Sequence, residues 1–313
     1  MSADELTWLS GERKTENESG NTSDNGGKGT CSRCNGTGKI QSDTPTIHSS
    51  YLLHGTTTGR LSCRNPNVQN IPRGSSIRKL FVASPGNIFV QADFKQGELR
   101  CIAALSGDEY LTGVFSEGRD LLSEIAARFY GPRFTKEQRV RAKNITYGSM
   151  YGMGGLKLTQ YADVTIQEAR YFQRELFNLM PKVKQWQENT RAYVLAGNDL
   201  VTAFGRRRRF LLITDENRKD IEKECLAYVP QSTLSDICLS SLLHLVESPT
   251  ARDWLKPRIT VHDSILVECH ESLVDDAKGV LSSVLPAVAR ERFVRTVPFP
   301  VDLQVGRSWG EVD

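Results

Sequence analysis

Long apolar runs are absent from this sequence, and so is an amino-terminal signal peptide. A transmembrane helix needs about 20 consecutive apolar residues, and a secretory signal needs an apolar segment behind a basic amino terminus. The sequence therefore predicts no membrane association and a cytosolic location. The chain has 313 residues, of which 39% are apolar, and this is enough for a substantial core divided between two subdomains.

A large excess of charge of either sign is also absent, because the formal net charge is only +3. Binding to a polyanion would therefore depend on local clusters of basic residues. The strongest cluster is the run Arg206 to Arg209, followed by Arg139, Arg141 and Lys143. An exposed basic loop without a ligand is the alternative interpretation of the run.

Cysteine is scarce, and only two of the 7 cysteines form a close pair in the sequence. Cys31 and Cys34 form a CxxC pair in CSRCNGTG, a turn-rich segment that resembles zinc knuckles. His48 and His54 would complete a set close to Cys2His2 spacing; ligands from another chain, or no metal at all, are the alternatives. The others lie among apolar residues and are predicted to be reduced core positions: Cys63, Cys101, Cys225, Cys238 and Cys269.

The segment EQRVRAKNITYGSMYG, residues 137–152, carries two cations and two aromatic rings at a spacing of four residues. Arg139, Lys143, Tyr147 and Tyr151 would each lie about 40° around a helix from the one before, and so form one winding stripe. Basic groups at one end suit phosphates, and a phenol ring further along can pack on a sugar or base. The segment predicts a helix that binds a nucleoside triphosphate; a solvated basic face is the alternative.

Two aspartates are predicted to lie at strand ends. An apolar run leads into Asp93, and the segment RITVHDSILVEC predicts two strands joined by a tight turn that carries Asp263. Adjacent strands of one sheet would bring the two carboxylates together, where they could hold two divalent cations about 3.5–4 Å apart. Oxygen ligands favour magnesium over zinc. A turn or cap role is the alternative for either aspartate alone.

Four blocks of the sequence resemble the polymerase module of family A DNA polymerases, the bacterial DNA polymerase I and phage T7 type. The blocks are TTTGRLSCRNPNVQNIPR at 56–73, DFKQGELR, RVRAKNITYGSMYG and VHDS, and the resemblance covers residues 47–313. It implies template-directed DNA synthesis, in which a primer 3′-hydroxyl attacks a deoxynucleoside triphosphate (dNTP) and pyrophosphate is released. The cofactor implied is magnesium, as two ions.

The resemblance also implies roles for individual residues. Asp93 and Asp263 would bind the metal ions. Lys143 would contact the triphosphate and donate a proton to the leaving pyrophosphate, and Arg139 would hold the outer phosphates. Tyr147 would pack on the sugar, and family members with tyrosine at this position accept dideoxynucleotides readily.

Further positions match family contacts to the nucleotide and to DNA. Glu98 occupies the position of the steric gate, which excludes a ribose 2′-hydroxyl, and Gln96 belongs to the nucleotide-binding set. Arg60 and Gln231 match residues that reach the minor groove at the primer end. Tyr151 would stack near the template base. The complete set matched to DNA contacts is Arg60, Asn67, Gln69, Asn70, Tyr151, Lys223, Gln231 and His262.

The chain departs from the family pattern at several positions near these residues, among them Gly97 and Lys95, which replace an apolar residue and a serine. Ser264 stands where most members have a glutamate, so a supporting third carboxylate is missing. Leu122 replaces a histidine that often helps to hold the triphosphate. The sequence HDS also occurs in single-subunit RNA polymerases, but Glu98 and the helix spacing follow the DNA polymerase pattern.

The resemblance implies an α+β fold with the architecture of a right-hand polymerase. Residues 47–107 and 223–313 would form the palm, an antiparallel sheet with helices, and residues 108–222 the mostly helical fingers. Residues 1–46, which include the CxxC pair, are polar and would form a flexible arm. We expect no exonuclease domain and no complete thumb in this chain. A second polypeptide would supply them, as in a split phage polymerase in a bacterial or phage-infected host cytoplasm; a fragment is the alternative.

Two other functional classes stay open. A catalytically silent subunit that only binds primer-template DNA would share the fold, but should have lost Asp93, Asp263 or Lys143. A relative of single-subunit RNA polymerases would fit the HDS sequence but should lack Glu98. The type of nucleotide incorporated would distinguish the second of these from a DNA polymerase.

Overall fold

The computed structural model describes residues 46–312. The possible zinc ligands Cys31 and Cys34 lie outside the described residues, and so does nearly all of the predicted arm 1–46. In chain order the helices and strands are β1 (Ser50–Leu52), β2 (Ser62–Arg64), β3 (Asn87–Phe94), α1 (Gly97–Ser106), α2 (Glu109–Ser116), α3 (Leu121–Tyr130), α4 (Lys136–Met150), α5 (Gly155–Ala162), α6 (Ile166–Leu179), α7 (Pro181–Leu195), β4 (Leu200–Val201), β5 (Arg207–Arg208), α8 (Arg218–Glu247), β6 (Lys256–Val261), β7 (Ser264–His270), α9 (Val274–Arg292) and β8 (Val301–Gly306).

A four-stranded antiparallel sheet with the order β6–β7–β3–β8 forms the centre of the fold. Its strands come from distant parts of the chain, because β3 precedes α1 whereas the other three strands follow α8. The register places Asp93 of β3 directly opposite Ser264 of β7 on one side and Asp302 of β8 on the other. Phe89 lies opposite Glu268 in the same ladder.

The two faces of the sheet are covered differently. Val90, Ala92 and Phe94 are buried in the main core, which includes residues of α1, α8 and α9. The alternate residues of β3 point to the other face, where Phe89 packs with Trp309 in a smaller cluster. The antiparallel sheet with helices packed on one face confirms the α+β prediction. The smaller cluster on the second face was not foreseen.

Glu268 is a buried charge on this second face. Its carboxylate accepts hydrogen bonds from the Ser84 backbone N–H at 2.9 Å, from Asn87 Nδ2 at 2.8 Å and from Arg258 Nε at 2.7 Å. Buried charges are stable only when they are paired and hydrogen-bonded, and these three donors satisfy that condition.

Helices α2 to α7 form a second, mostly helical group. Helix α4 begins at a capping box, in which the Thr135 hydroxyl accepts from the Gln138 N–H and the Gln138 side chain accepts from the Thr135 N–H. Phe129 and Phe172, from α3 and α6, stack with ring centroids 4.3 Å apart. The end of α4 lies against α1, because the Tyr151 hydroxyl donates a hydrogen bond to Glu98.

Helix α8 is the longest in the described part of the chain, and it joins the two groups. It begins at Arg218, so the predicted boundary at residue 223 falls inside it. The cysteines at 63, 101, 225, 238 and 269 are all buried and free, as predicted. None of the helices between residues 46 and 312 has the length and apolar character needed to cross a bilayer.

Candidate functional site

Asp93 and Asp263 lie at the same end of the central sheet. Asp93 is the penultimate residue of β3, and Asp263 lies with His262 in the two-residue turn between β6 and β7. His262 has a φ of 55°, which allows the chain to reverse tightly there. Because Asp93 pairs with Ser264, the residue next to Asp263, the register brings the two acids to neighbouring positions, as the sequence predicted.

The two carboxylates interact electrostatically. Burial raises the pKa of Asp263 to about 6, and the negative charges of Asp93 and Glu98 act in the same direction. The Arg73 guanidinium donates a hydrogen bond to Asp93 at 3.2 Å, from a mostly exposed position. The site therefore has an excess of negative charge, which a cation would stabilise.

Glu98, in the first turn of α1, connects three parts of the molecule. One carboxylate oxygen pairs with Arg60, from the loop between β1 and β2, and the other accepts a hydrogen bond from the Tyr151 hydroxyl at the end of α4. Burial, followed by the charges of Glu98 and Asp263, raises the pKa of Tyr147. The Tyr147 hydroxyl therefore stays protonated near the two acids and can donate a hydrogen bond.

The two cations of the α4 stripe have different surroundings. Arg139 donates from Nη2 to Asp120 at 2.8 Å and from Nε to the Ser123 hydroxyl at 3.0 Å. Lys143, one turn further along, is exposed, makes no ion pair with any described residue and lies 6.0 Å from the centre of the Tyr147 ring. Its ammonium group is available to an anionic ligand.

Asp120 accepts hydrogen bonds from three neighbouring segments. It caps α3 through the Leu122 N–H at 3.1 Å, and it also accepts from Gln96 Nε2 at 3.2 Å and from the Ser123 hydroxyl at 2.5 Å. Partial burial alone would raise the pKa of Asp120, but the hydrogen bonds from Ser123 and Arg139 outweigh burial and lower the pKa. The carboxylate is therefore ionised.

The positions matched to DNA contacts are only partly brought together. Gln69 donates to the Thr260 carbonyl at 3.0 Å, beside the β6–β7 turn, and Asn67 and Asn70 flank it on the surface. Gln231 lies in the middle of α8, partly buried. Lys223 is on the same helix but roughly 12 Å away along its axis, at 1.5 Å per residue.

His262 and Lys223, two of the positions matched to DNA contacts, both have charged neighbours. Burial, followed by the charges of Arg60 and Arg73, lowers the pKa of His262, so its ring is neutral at physiological pH. Lys223 pairs with Asp220 at 3.0 Å on the surface of α8. His262 therefore lies among the candidate site residues, whereas Lys223 lies outside that group.

The arginine run at 206–209 is not an unpaired basic loop. Arg206 donates to the carboxylate of Asp236 at 2.6 and 3.2 Å, and Arg208 pairs with Glu224 at 2.6 Å. The remaining two, Arg207 and Arg209, both lie 3.4 Å from the Asp199 carboxylate. Because all four arginines are paired with acidic side chains, the run is a weaker candidate for phosphate binding than the sequence indicated.

Arg206 also packs against the loop that carries Arg60. Gly59 precedes Arg60 with a φ of 76°, and a Cβ built on it would lie only 2.3 Å from Arg206 Cζ. The Ser235 hydroxyl donates to the Gly59 carbonyl at 3.1 Å. The glycine is therefore required both by its conformation and by the close approach of the guanidinium.

Sequence reasoning missed three residues that contact the candidate site: Arg73, Asp120 and Ser123. Asp120 carried a signal, because an aspartate directly before an amphipathic segment is a typical helix cap. Ser123 carried none, and Arg73 carried only its place at the end of the block 56–73, since their partners Arg139 and Asp93 become neighbours only in the folded chain.

Between residues 46 and 312, no group of three or more His, Cys, Asp or Glu side chains is arranged to hold a metal ion. His48 and His54 lie on either side of β1, and both are exposed. Because Cys31 and Cys34 are outside the described range, zinc at the CxxC pair stays a prediction.

Known proteins are similar to this chain over most of its length. The model of the family "DNA polymerase family A" matches residues 35–311. DNA polymerase I of Chloroflexus aurantiacus is 35% identical over 277 residues, which are 85% of this chain and 29% of that protein. Thermostable DNA polymerase I of Thermus aquaticus is 34% identical over 288 residues, 86% of this chain and 33% of its own length. The chain thus spans about a third of these relatives.

A solved structure is also similar. The POL domain of Pol1 from M. smegmatis, in complex with DNA primer-template and dNTP, superposes with a TM-score of 0.78 at 27% identity, covering 85% of this chain and 48% of that one. The family match extends over nearly all described residues, including both strand-end aspartates and the α4 stripe. The chain belongs to DNA polymerase family A.

Proposed function

We propose that this chain catalyses template-directed DNA synthesis, adding deoxynucleoside monophosphates to a primer 3′-hydroxyl with release of pyrophosphate. The observation that carries the proposal is the convergence of two strand-end carboxylates, Asp93 and Asp263, with the helix that bears Arg139 and Lys143. Acids of this kind suit metal ions, and the cations suit a triphosphate.

Asp93 and Asp263 fit a magnesium site. Burial, followed by the charge of Asp93, raises the pKa of Asp263, and a cation between the two carboxylates would relieve both effects. Magnesium typically binds proteins through one or two carboxylates and takes its other ligands from water and substrate phosphates, so the absence of a third carboxylate at Ser264 is compatible with binding. When bound, two such ions would lower the pKa of the primer hydroxyl and neutralise charge on the phosphates.

Residues of α4 would bind and orient the triphosphate. Arg139 can bind two phosphate oxygens through its planar guanidinium, and Lys143 would contribute a mobile charge and a proton for the leaving pyrophosphate. The protonated hydroxyl of Tyr147 would donate a hydrogen bond to the nucleotide. Holding the reactants in line in this way supplies much of the catalysis in phosphoryl transfer.

Glu98 supports deoxynucleotides as the substrate. Both of its carboxylate oxygens are engaged, by Arg60 and by Tyr151, so the side chain is held in place beside the candidate nucleotide site. A ribose 2′-hydroxyl would meet this fixed group. The arrangement favours a DNA polymerase over a relative of single-subunit RNA polymerases.

Primer extension tests the proposal. The purified chain would be incubated with primer-template DNA, Mg²⁺ and each nucleotide type, beside Asp93→Ala and Asp263→Ala. Asp275→Ala is the matched control, because Asp275 is an exposed acid at the start of α9. We expect extension with dNTPs by the wild type and the control, and none by the other two variants. Full extension by Asp263→Ala would refute the mechanism.

The second polypeptide stays part of the proposal and has its own test. A thumb normally wraps the duplex product, so the chain alone should synthesise short products distributively, and a partner should lengthen them. Affinity purification of the tagged chain from its native host, followed by primer extension with and without the co-purified protein, measures this. Long products from the chain alone would contradict it. No extension even with the partner would favour a silent primer-template binding subunit.

A further inference from the structure

Arg139, the proposed ligand of the outer phosphates, already has an anionic partner in this structure. Its Nη2 and Nε atoms donate to Asp120 and to Ser123, at 2.8 and 3.0 Å, and Ser123 in turn donates to the same carboxylate at 2.5 Å. The guanidinium is thus held at two points by groups from the start of α3. A triphosphate that binds Arg139 must share or replace this partner.

Asp120 also joins α4 to the palm sheet. Gln96, which connects β3 to α1 with a left-handed backbone, donates to the other Asp120 oxygen at 3.2 Å, and its own Oε1 atom is buried without a donor among the described residues. The carboxylate therefore contacts the connection that follows Asp93 and, at the same time, the proposed triphosphate helix. Lys143, on the same helix, has no such acidic partner between residues 46 and 312.

We propose that Asp120 is a positioning residue that competes with the triphosphate for Arg139. The inference rests on the proposed function. Before the nucleotide binds, the Arg139 guanidinium is hydrogen-bonded to the Asp120 carboxylate. During binding, the phosphates replace the carboxylate as the partner of Arg139. When pyrophosphate leaves, the hydrogen bond between Arg139 and Asp120 forms again. The carboxylate thus weakens nucleotide binding and assists product release.

Replacement of Asp120 by asparagine removes the charge and keeps the helix cap, because asparagine is as good an N-cap as aspartate. One carboxylate oxygen becomes an NH2 group, so Oδ1 can still accept from the Leu122 N–H while the hydrogen bond from Arg139 to the other oxygen is lost. The substitution therefore releases the Arg139 guanidinium and removes one negative charge beside the phosphates. A unit charge about 6 Å from another in a largely aqueous environment changes an equilibrium roughly threefold.

The matched control is Asp163→Asn. Asp163 pairs with Arg141 at 2.7 Å on another face of the same helix, so the substitution makes the same charge change without touching Arg139. Ser123→Ala is a second comparison, because it removes one hydrogen bond to Arg139 but leaves the Asp120 charge in place. It should not reproduce the effect of the asparagine variant.

The experiment measures the KM for dNTP and the inhibition constant of pyrophosphate in primer extension. It also measures, by calorimetry in EDTA, the binding of dGTP to the DNA-free chain. For Asp120→Asn we expect the KM, the inhibition constant and the dGTP dissociation constant each to fall roughly threefold. Steady-state kcat should decrease more than the single-turnover rate, because pyrophosphate leaves more slowly. Asp163→Asn should leave all of these unchanged.

Each outcome is decisive. Constants that stay the same or rise in Asp120→Asn would overturn the inference, since Asp120 would then only orient Arg139. A wild-type chain that extends no primer even with the co-purified partner, but binds dGTP more weakly than Asp120→Asn, would defeat the proposed function and keep the competition. If neither the wild type nor Asp120→Asn binds dGTP, and neither extends a primer with the partner present, both the inference and the proposed function are refuted.

Discussion

Replacing Gly59 with alanine probes the contact between the loop that carries Arg60 and the hairpin that carries Arg206. A Cβ at residue 59 would lie 2.3 Å from Arg206 Cζ and 2.5 Å from its Nε, far inside van der Waals contact. The guanidinium cannot easily retreat, because it forms two hydrogen bonds with Asp236, a buried acid. The substitution should therefore strain both the loop and this ion pair.

The size of the effect follows from two contributions. A left-handed backbone costs a non-glycine residue about 1–2 kcal/mol, and overpacking a filled site costs about 1–3 kcal/mol. Together they predict that Gly59→Ala lowers the free energy of unfolding by about 2–5 kcal/mol. Gly118→Ala is the control, because Gly118 has a similar φ of 71° and a Cβ there would meet no described atom within 4 Å. The free energy of unfolding of Gly118→Ala should fall only by the backbone contribution, about 1–2 kcal/mol.

A double-mutant cycle with Arg206→Ala separates the contributions. Arg206→Ala alone leaves the Asp236 charge buried without its partner, which costs about 3 kcal/mol or more. In that background a Cβ at residue 59 meets no guanidinium, so Gly59→Ala should cost only about 1–2 kcal/mol. The coupling energy between the two substitutions is therefore expected to be about 1–3 kcal/mol.

Urea unfolding followed by tryptophan fluorescence measures all four proteins of the cycle and the control. The reasoning fails if Gly59→Ala costs no more than Gly118→Ala, because the contact with Arg206 would then be irrelevant to stability. It also fails if the Gly59 and Arg206 effects are additive. A loss of stability that falls, in the Arg206→Ala background, to the size measured for Gly118→Ala would support it.

Three further predictions concern the candidate site. In EDTA at pH 8, the free energy of unfolding of Asp263→Asn should exceed that of the wild type by up to about 3 kcal/mol. Near pH 4 the difference should vanish. Urea unfolding at both pH values measures it. The sign follows because the folded pKa of Asp263, about 6, lies above its ordinary value of 3.8, so the stability gained from protonation is lost as the pH rises through 6. Tyr147→Phe should require more dideoxynucleotide than the wild type for chain termination on a sequencing gel; equal sensitivity would remove the basis for a hydroxyl contact. Glu98→Ala should raise ribonucleotide incorporation relative to deoxynucleotide, measured as the ratio of kcat/KM values, and an unchanged ratio would exclude Glu98 as the gate.

The fold of the site was largely predictable from the sequence. Apolar residues next to Asp93 and Asp263 identified the strands that end near them, because strands that are covered on both faces read as apolar runs. The four-residue spacing in residues 137–152 identified α4, which the structure bounds at Lys136 and Met150. These features depend on local periodicity, which a sequence displays directly.

The electrostatic state of the site was not predictable from the sequence. The Arg73–Asp93 and Arg139–Asp120 pairs join residues about 20 positions apart, and no local rule connects them. The raised pKa of Asp263 depends on how deeply the β6–β7 turn is buried, which is a property of the assembled core. The acidic partners of the arginine run at 206–209 likewise come from other segments.

The buried carboxylate of Glu268 has a consequence for folding fidelity. Both faces of β7 are covered by apolar residues, so hydrophobicity alone would tolerate a shift of one residue against β3. Such a shift would turn Glu268 towards the main core, away from the three donors that neutralise it, and would move Ser264 out of line with Asp93. A chain that misaligns these strands is thus penalised before it can become a stable but inactive protein. Glu268, although it is remote from the candidate site, thus helps to fix the strand register that brings Asp93 and Asp263 together.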